Sequence, residues 1–175
     1  PPLFFIDIGA NIGTYTMYAA ALGRFVLAID CFAPNLLRLR RAIQLTNLYE
    51  RVVLVHNALY NESGQSLRLA VNTMNVGGQS IQPARKHNQT PSPRFSNPYI
   101  VSTITFDELL PILVAHGVRS AVIKMDIEGS EVFVVKTAAQ IFQTIDIPWV
   151  QMEWMIVRPH ADQVTTIVDF FQERL

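Results

Sequence analysis

Short apolar runs alternate with helical patterns along the chain, and this alternation decides most of what it can fold into. Leu3–Ile8 reads as a buried strand. A glycine-bearing turn follows, Gly9 to Gly13, and Thr14–Leu22 reads as a small-residue helix closed by Gly23. Phe25–Ile29 is a second strand. Leu36, Leu37, Arg40, Ile43 and Gln44 sit on a helix opened by Pro34 and Asn35. Val52–Val55 is a third strand, with Leu67–Val71 as an extra one; Phe106–His116 is helical again. Val122–Met125 is a fourth principal strand, Glu131–Ala139 a helix that Ser130 could cap, Trp149–Met152 a fifth strand, and 161–174 a last helix. Continuous apolar strands joined by helices imply a parallel sheet covered on both faces. The expected fold is therefore α/β and doubly wound, mostly parallel, with strand order 3-2-1-4-5. At 175 residues this is one domain. Residues 72–100 show no periodicity and hold four of the ten prolines plus Gly77 and Gly78. So long a loop inside a compact domain implies a function, and a lid over the site is expected.

In such sheets ligands bind beyond the carboxyl ends of the strands, so the residues there carry the functional signal. The first strand ends in Asp7-Ile8-Gly9-Ala10-Asn11-Ile12-Gly13. Its glycines allow a sharp turn and the close approach of a ligand. Asn11 tolerates the left-handed conformation and can replace a glycine. A nicotinamide-dinucleotide fingerprint would require glycine at position 11, which is not present. Asp30 ends the second strand, about twenty residues on, where a carboxylate can accept from both hydroxyls of a ribose. Asn57, after the third strand, could meet an adenine edge; His56 beside it reads as structural. The fourth strand runs into Lys124-Met125-Asp126-Ile127-Glu128-Gly129-Ser130-Glu131. If the strand continues that far, its period of two puts Lys124, Asp126 and Glu128 on one side. Asp126 and Glu128 could take a proton or hold a divalent metal, with Glu153 as a further carboxylate at the same edge.

Composition narrows the partners. Fourteen basic residues balance fourteen acidic ones, which gives no electrostatic reason to expect nucleic acid or an anionic membrane. Arg38, Arg40 and Arg41 read as a solvated helix face. No apolar run approaches the ~20 residues of a membrane span, so no membrane contact is expected from this segment. The single cysteine, Cys31, excludes an internal disulfide and a cysteine-based zinc site. The termini look cut, with no targeting segment before the first strand. The sequence carries no signal for an oligomeric state.

Taken in order, the Asp7–Gly13 turn, Thr105-Phe106-Asp107-Glu108-Leu109, Lys124–Glu131 and Met152-Glu153 resemble the FkbM family of methyltransferases. The resemblance covers almost all of 3–155. It implies S-adenosylmethionine as cofactor, with Asp7, Gly9, Asn11 and Gly13 around its methionine part and Asp30 on its ribose. It also implies methyl transfer to a hydroxyl oxygen of a small-molecule or sugar-type acceptor. The family usually carries Phe-Glu-Pro after the second strand, where this chain has Ile29-Asp30-Cys31, a shortened acid. The sheet of this class normally finishes with two more strands, which have no candidate here after Leu175, so the sheet is expected to be truncated before them. Amino-group methyltransferases of nucleic acids carry an Asn/Asp-Pro-Pro-Tyr loop after the fourth strand, whereas this chain reads Asp126-Ile127-Glu128-Gly129. On this reading Asp126 or Glu128 takes the hydroxyl proton, directly or through a metal. The rival reading is a degenerate cofactor-binding or adaptor domain of a larger membrane or secretory protein. The sequons Asn61-Glu62-Ser63 and Asn88-Gln89-Thr90 fit it; the intact glycines and acids at the strand ends favour an enzyme.

Overall fold

The computed structural model describes residues 4–71, 78–82 and 97–174. The principal sheet has five strands: β1 (Phe4–Ile8), β2 (Val26–Asp30), β3 (Val52–His56), β7 (Ser120–Met125) and β8 (Asp146–Met152). Their spatial order is β3-β2-β1-β7-β8 and every pair is parallel, so the expected 3-2-1-4-5 arrangement holds. Strand β2 is buried along its whole length, as a central parallel strand must be.

Strand alternation sends residues to two cores. Ile6, Ile8, Leu27, Ile29, Ile123 and Met125 pack on one face against Phe106, Leu113 and Ile141. That face is covered by α3 (Leu110–Ala115), preceded by the 3₁₀ turn Asp107–Leu109, and by α5 (Ala139–Thr144). Val26, Ala28 and Val52 face the other way, onto α1 (Thr14–Ala21) and α2 (Ala33–Leu45). In α2 the buried stripe is Leu36, Leu39 and Ile43, while Leu37 and the arginines face solvent. The final helix α6 (Ala161–Gln172) packs on α4 (Glu131–Lys136) through Ile167, Val132 and Val135.

Three features differ from the sequence reading. A second, three-stranded sheet stands beside the first, ordered β4 (Ala58–Leu59), β6 (Ile100–Ile104), β5 (Ser66–Arg68). The extra strand expected at 67–71 is its β5 edge, extended by an isolated bridge from Leu69 to Ile81. The helix expected over 131–139 is two short helices. Thr137 ends the first by turning its hydroxyl back onto the Phe133 carbonyl at 2.9 Å. Asp107 starts the second: its carboxylate accepts the N–H groups of Gln140 and Ile141 at 3.0 and 2.9 Å. Ser130 occupies the N-cap position of α4 but makes no capping bond; Glu131 instead accepts the Ile127 N–H at 3.0 Å.

Candidate functional site

The register sets the site. Ile8 is level with Ile29 and with Met125, and Met125 is level with Met152. The next residue on each strand is therefore Gly9, Asp30, Asp126 or Glu153, and all four emerge along one edge. A cavity of about 550 Å³ opens there, within the roughly 300–1,000 Å³ usual for small-molecule sites. Gly9, Asn11, Asp30, Asn57, Asp126 and Glu128 line it.

The turn after β1 is fixed from several sides. Asn11 has φ +52°, the left-handed conformation expected of it, and its N–H donates to Asp30 Oδ2 at 2.8 Å. Asp30 Oδ1 accepts the Phe32 N–H at 2.7 Å, so this carboxylate clamps two backbone turns and keeps further lone pairs for a ligand. Burial pushes Asp30 up to about 6 against the opposing pull of those N–H groups. Gly9 has φ +78°, and a Cβ on it would lie 1.9 Å from the Asp126 carbonyl oxygen. Gly13 is a structural glycine: a Cβ there would meet Leu39 of α2 at 2.2 Å, and the residue does not line the cavity. The N–H groups of Thr14 and Tyr15, at the start of α1, make no hydrogen bond among the described residues and belong to cavity-lining residues.

Asp7 lies beneath this turn, fully buried and off the cavity wall. Strand parity directs it toward α1, where its Oδ2 accepts the Thr16 hydroxyl at 2.6 Å. Its Oδ1 has no hydrogen bond and faces the Lys124 ammonium at 3.7 Å. Burial raises its pKa; the Thr16 hydrogen bond and Lys124 oppose the rise. Thr16 was not picked out by the sequence reading. Its only signal was a hydroxyl in the first turn of a helix that follows an acidic strand end.

Asp126, Glu128 and Glu153 come together, with carboxylate oxygens within 4.8 Å of one another. Strand pleat is not what aligns them. Strand β7 stops at Met125, and Glu128 returns to the cavity through a left-handed residue at φ +54°. Glu153 is pushed up to about 7, first by sharing a hydrogen bond with Asp126, then by burial and by the neighbouring carboxylates Asp126, Glu128 and Glu131. Such a trio can hold a proton near neutral pH, and its oxygens are close enough to bind one divalent cation together.

The amide of Asn57 is already engaged with the Ser102 carbonyl of β6 at 3.0 Å, although the residue lines the cavity. His56 lies near the Cys31 carbonyl at 3.2 Å, in keeping with a structural histidine. Of the segment expected as a lid, 72–77 and 83–96 lie outside the described residues. The short stretch 78–82 is described, and Gly78, Gln79 and Ile81 from it line the cavity. Thr105–Leu109 proves to be scaffold: Phe106 is fully buried, Asp107 starts α5, and Glu108 accepts from Thr105 N–H at 2.7 Å and from the Ser63 hydroxyl.

Comparison with curated proteins and with solved structures gives no match. The family model described as the methyltransferase FkbM domain matches residues 7–174.

Proposed function

The chain belongs to the FkbM family of methyltransferases, and on that premise we propose that it transfers a methyl group from S-adenosylmethionine to a hydroxyl oxygen of a small-molecule or sugar-type acceptor. The observation that carries this reading is the shared edge: the Gly9 turn, Asp30 and the Asp126 carboxylate all face one cavity.

The site fits the cofactor. The unpaired N–H groups of Thr14 and Tyr15 suit its carboxylate, with the helix dipole behind them. Asp30, on the same wall, suits the ribose hydroxyls, and Asn57, also on that wall, would meet the base. Gly9, Asn11 and Gly13 shape the turn that receives the methionine part, while Asp7, off the cavity wall, is bonded to Thr16 of α1. When bound, S-adenosylmethionine supplies an electrophilic methyl on a cationic sulfur.

The chain's own part is alignment, exclusion of water and removal of one proton. Asp126 takes the acceptor's hydroxyl proton, with Glu128 beside it as the alternative base. Glu153, pushed up to about 7 and hydrogen-bonded to Asp126, can in turn receive that proton near the working pH. A divalent cation would sit among Asp126, Glu128 and Glu153 and would lower the hydroxyl's pKa.

Titration calorimetry with S-adenosylmethionine is the first test, and a native protein that gives no binding heat sinks the enzyme reading in favour of an adaptor. Asp126→Asn and Glu128→Gln should both keep cofactor binding, and at least one should lose about 10²–10⁴-fold in methyl transfer to a panel of neutral hydroxylated acceptors. Activity lost to a chelator and restored by magnesium assigns the carboxylates to a metal. Native turnover in both variants removes them from the chemistry.

A further inference from the structure

Lys124 is the buried cation at the centre of this edge, and nothing in the proposed chemistry uses it. It stands in β7 level with Asp7 of β1, so both side chains leave the sheet toward α1. Its side chain is 9% exposed. The ammonium donates to the Gly9 carbonyl at 2.8 Å, lies 3.4 Å from Asp126 Oδ2 and 3.7 Å from Asp7 Oδ1, and sits 5.6 Å from the centre of the Tyr15 ring. Three N–H groups thus face three oxygens from three different places: the turn, the end of β7 and the interior of β1.

We propose that Lys124 is a positioning residue that fixes the Gly9 peptide of the cofactor turn and holds the Asp126 carboxylate beside it. The inference rests on reading Gly9–Gly13 as the cofactor turn. The remaining polar groups at the start of that turn are otherwise consumed: the N–H groups of Gly9 and Ala10 both donate to the Ile29 carbonyl, at 2.9 and 3.0 Å. The Gly9 carbonyl is the one that the sheet does not fix, and Lys124 supplies its donor. Without that bond the Gly9–Ala10 peptide is held only through its Ala10 N–H, and the turn that leads to the Thr14 and Tyr15 N–H groups can tilt relative to Asp126.

The rival account is that Lys124 only neutralises the buried Asp7. Replacing one member of a buried ion pair destabilises a protein strongly, whereas replacing both by neutral groups can leave it folded. The comparison is therefore between native protein, Asp7→Asn, and the double variant Asp7→Asn/Lys124→Met, each followed by thermal unfolding and by S-adenosylmethionine calorimetry. Positioning predicts that the double variant unfolds close to the temperature of Asp7→Asn yet binds the cofactor roughly ten- to a hundredfold more weakly, as expected for one charge-assisted hydrogen bond. Equal affinity of the two variants overturns the proposal and leaves Lys124 as a counter-ion. Loss of binding already in Asp7→Asn would make the Asp7 carboxylate the element that matters and overturns it too. A native protein that does not bind S-adenosylmethionine fails at an earlier point, because it removes the cofactor reading itself.

Discussion

Gly9→Ala tests the geometry of the edge with a single methyl group. Gly9, Gly64 and Gly117 share a left-handed backbone, at φ +78°, +76° and +67°. A side chain in that conformation costs roughly 1–2 kcal/mol wherever it occurs. The three positions differ in what the new Cβ would meet. At Gly64 and Gly117 nothing lies within 4 Å. At Gly9 the Cβ would stand 1.9 Å from the Asp126 carbonyl oxygen, 2.9 Å from its carbon and 3.1 Å from Ile127 Cγ2. Two of these are backbone atoms that cannot rotate away, so β1 and the end of β7 must separate. Overpacking of this kind adds about 1–3 kcal/mol. Gly9→Ala should therefore lose roughly 2–5 kcal/mol, and Gly64→Ala and Gly117→Ala only the 1–2 kcal/mol of strain. Against a whole-domain stability of ~5–15 kcal/mol, the difference is plain in urea denaturation midpoints at equal m-values. Cofactor affinity should fall in Gly9→Ala alone, since only there does the turn move relative to Asp126. Equal midpoints for Gly9→Ala and Gly64→Ala would refute the claim that this glycine exists for contact with β7.

Stability should fall as pH rises from about 4 to 6, because Asp30, Asp7 and Glu131 all have pKa values raised mainly by burial. Each holds its proton more tightly folded than unfolded, so the folded state carries the extra protons in that window, and Asp30 alone accounts for on the order of 2–3 kcal/mol. Asp30→Asn should flatten the profile, and a variant with the native pH dependence would clear Asp30 of this role. The Cys31 thiol, pushed up to about 12 by burial and by the Asp30 carboxylate, should react with iodoacetamide at pH 8 at least tenfold more slowly in the native than in the unfolded protein. Equal rates would show that the thiol is open to solvent.

The principal sheet was legible because central parallel strands are continuous apolar runs, and the residues that end them announce themselves by charge. The small sheet was not. Strand β4 is two residues long and is separated from β3 only by Asn57, while β6, Ile100–Ile104, alternates buried and half-buried positions. Strand β4 is too short to show a period, and in β6 the buried face carries Val101 and Thr103 while Ile100 and Ile104 are only half-buried, so apolar residue types do not trace it. The break between α4 and α5 was hidden for another reason: Asp107, which starts α5, comes from a segment more than thirty residues earlier. A cap supplied from that distance leaves no local signature at the helix it starts, and Ser130, which has the local signature, does not cap.

The same distinction runs through the site. Asp30 and Asp126 could be placed from sequence because one ends a strand and the other directly follows one, and the register then brings them to one edge. Asp7 carries the same charge but stands inside β1, so parity, not proximity to the turn, decides its direction, and it serves Thr16 and Lys124. Glu128 was grouped with Asp126 by strand period, although the strand ends before either of them. What returns Glu128 to the cavity is a positive φ at a residue type that rarely adopts one, followed at once by Gly129 at φ +93°. Two consecutive left-handed residues reverse the chain within the space of a single turn and bring the Glu128 oxygens within 4.8 Å of Asp126 and Glu153. A backbone strained in this way persists only where its surroundings hold it, and such strain gathers at functional sites. Here Glu131 holds it, through the Ile127 N–H, with its other oxygen buried and unpaired. The acidic run after β7 is therefore divided by role: Asp126 and Glu128 face the cavity, and Glu131 is spent in shaping the loop that presents them.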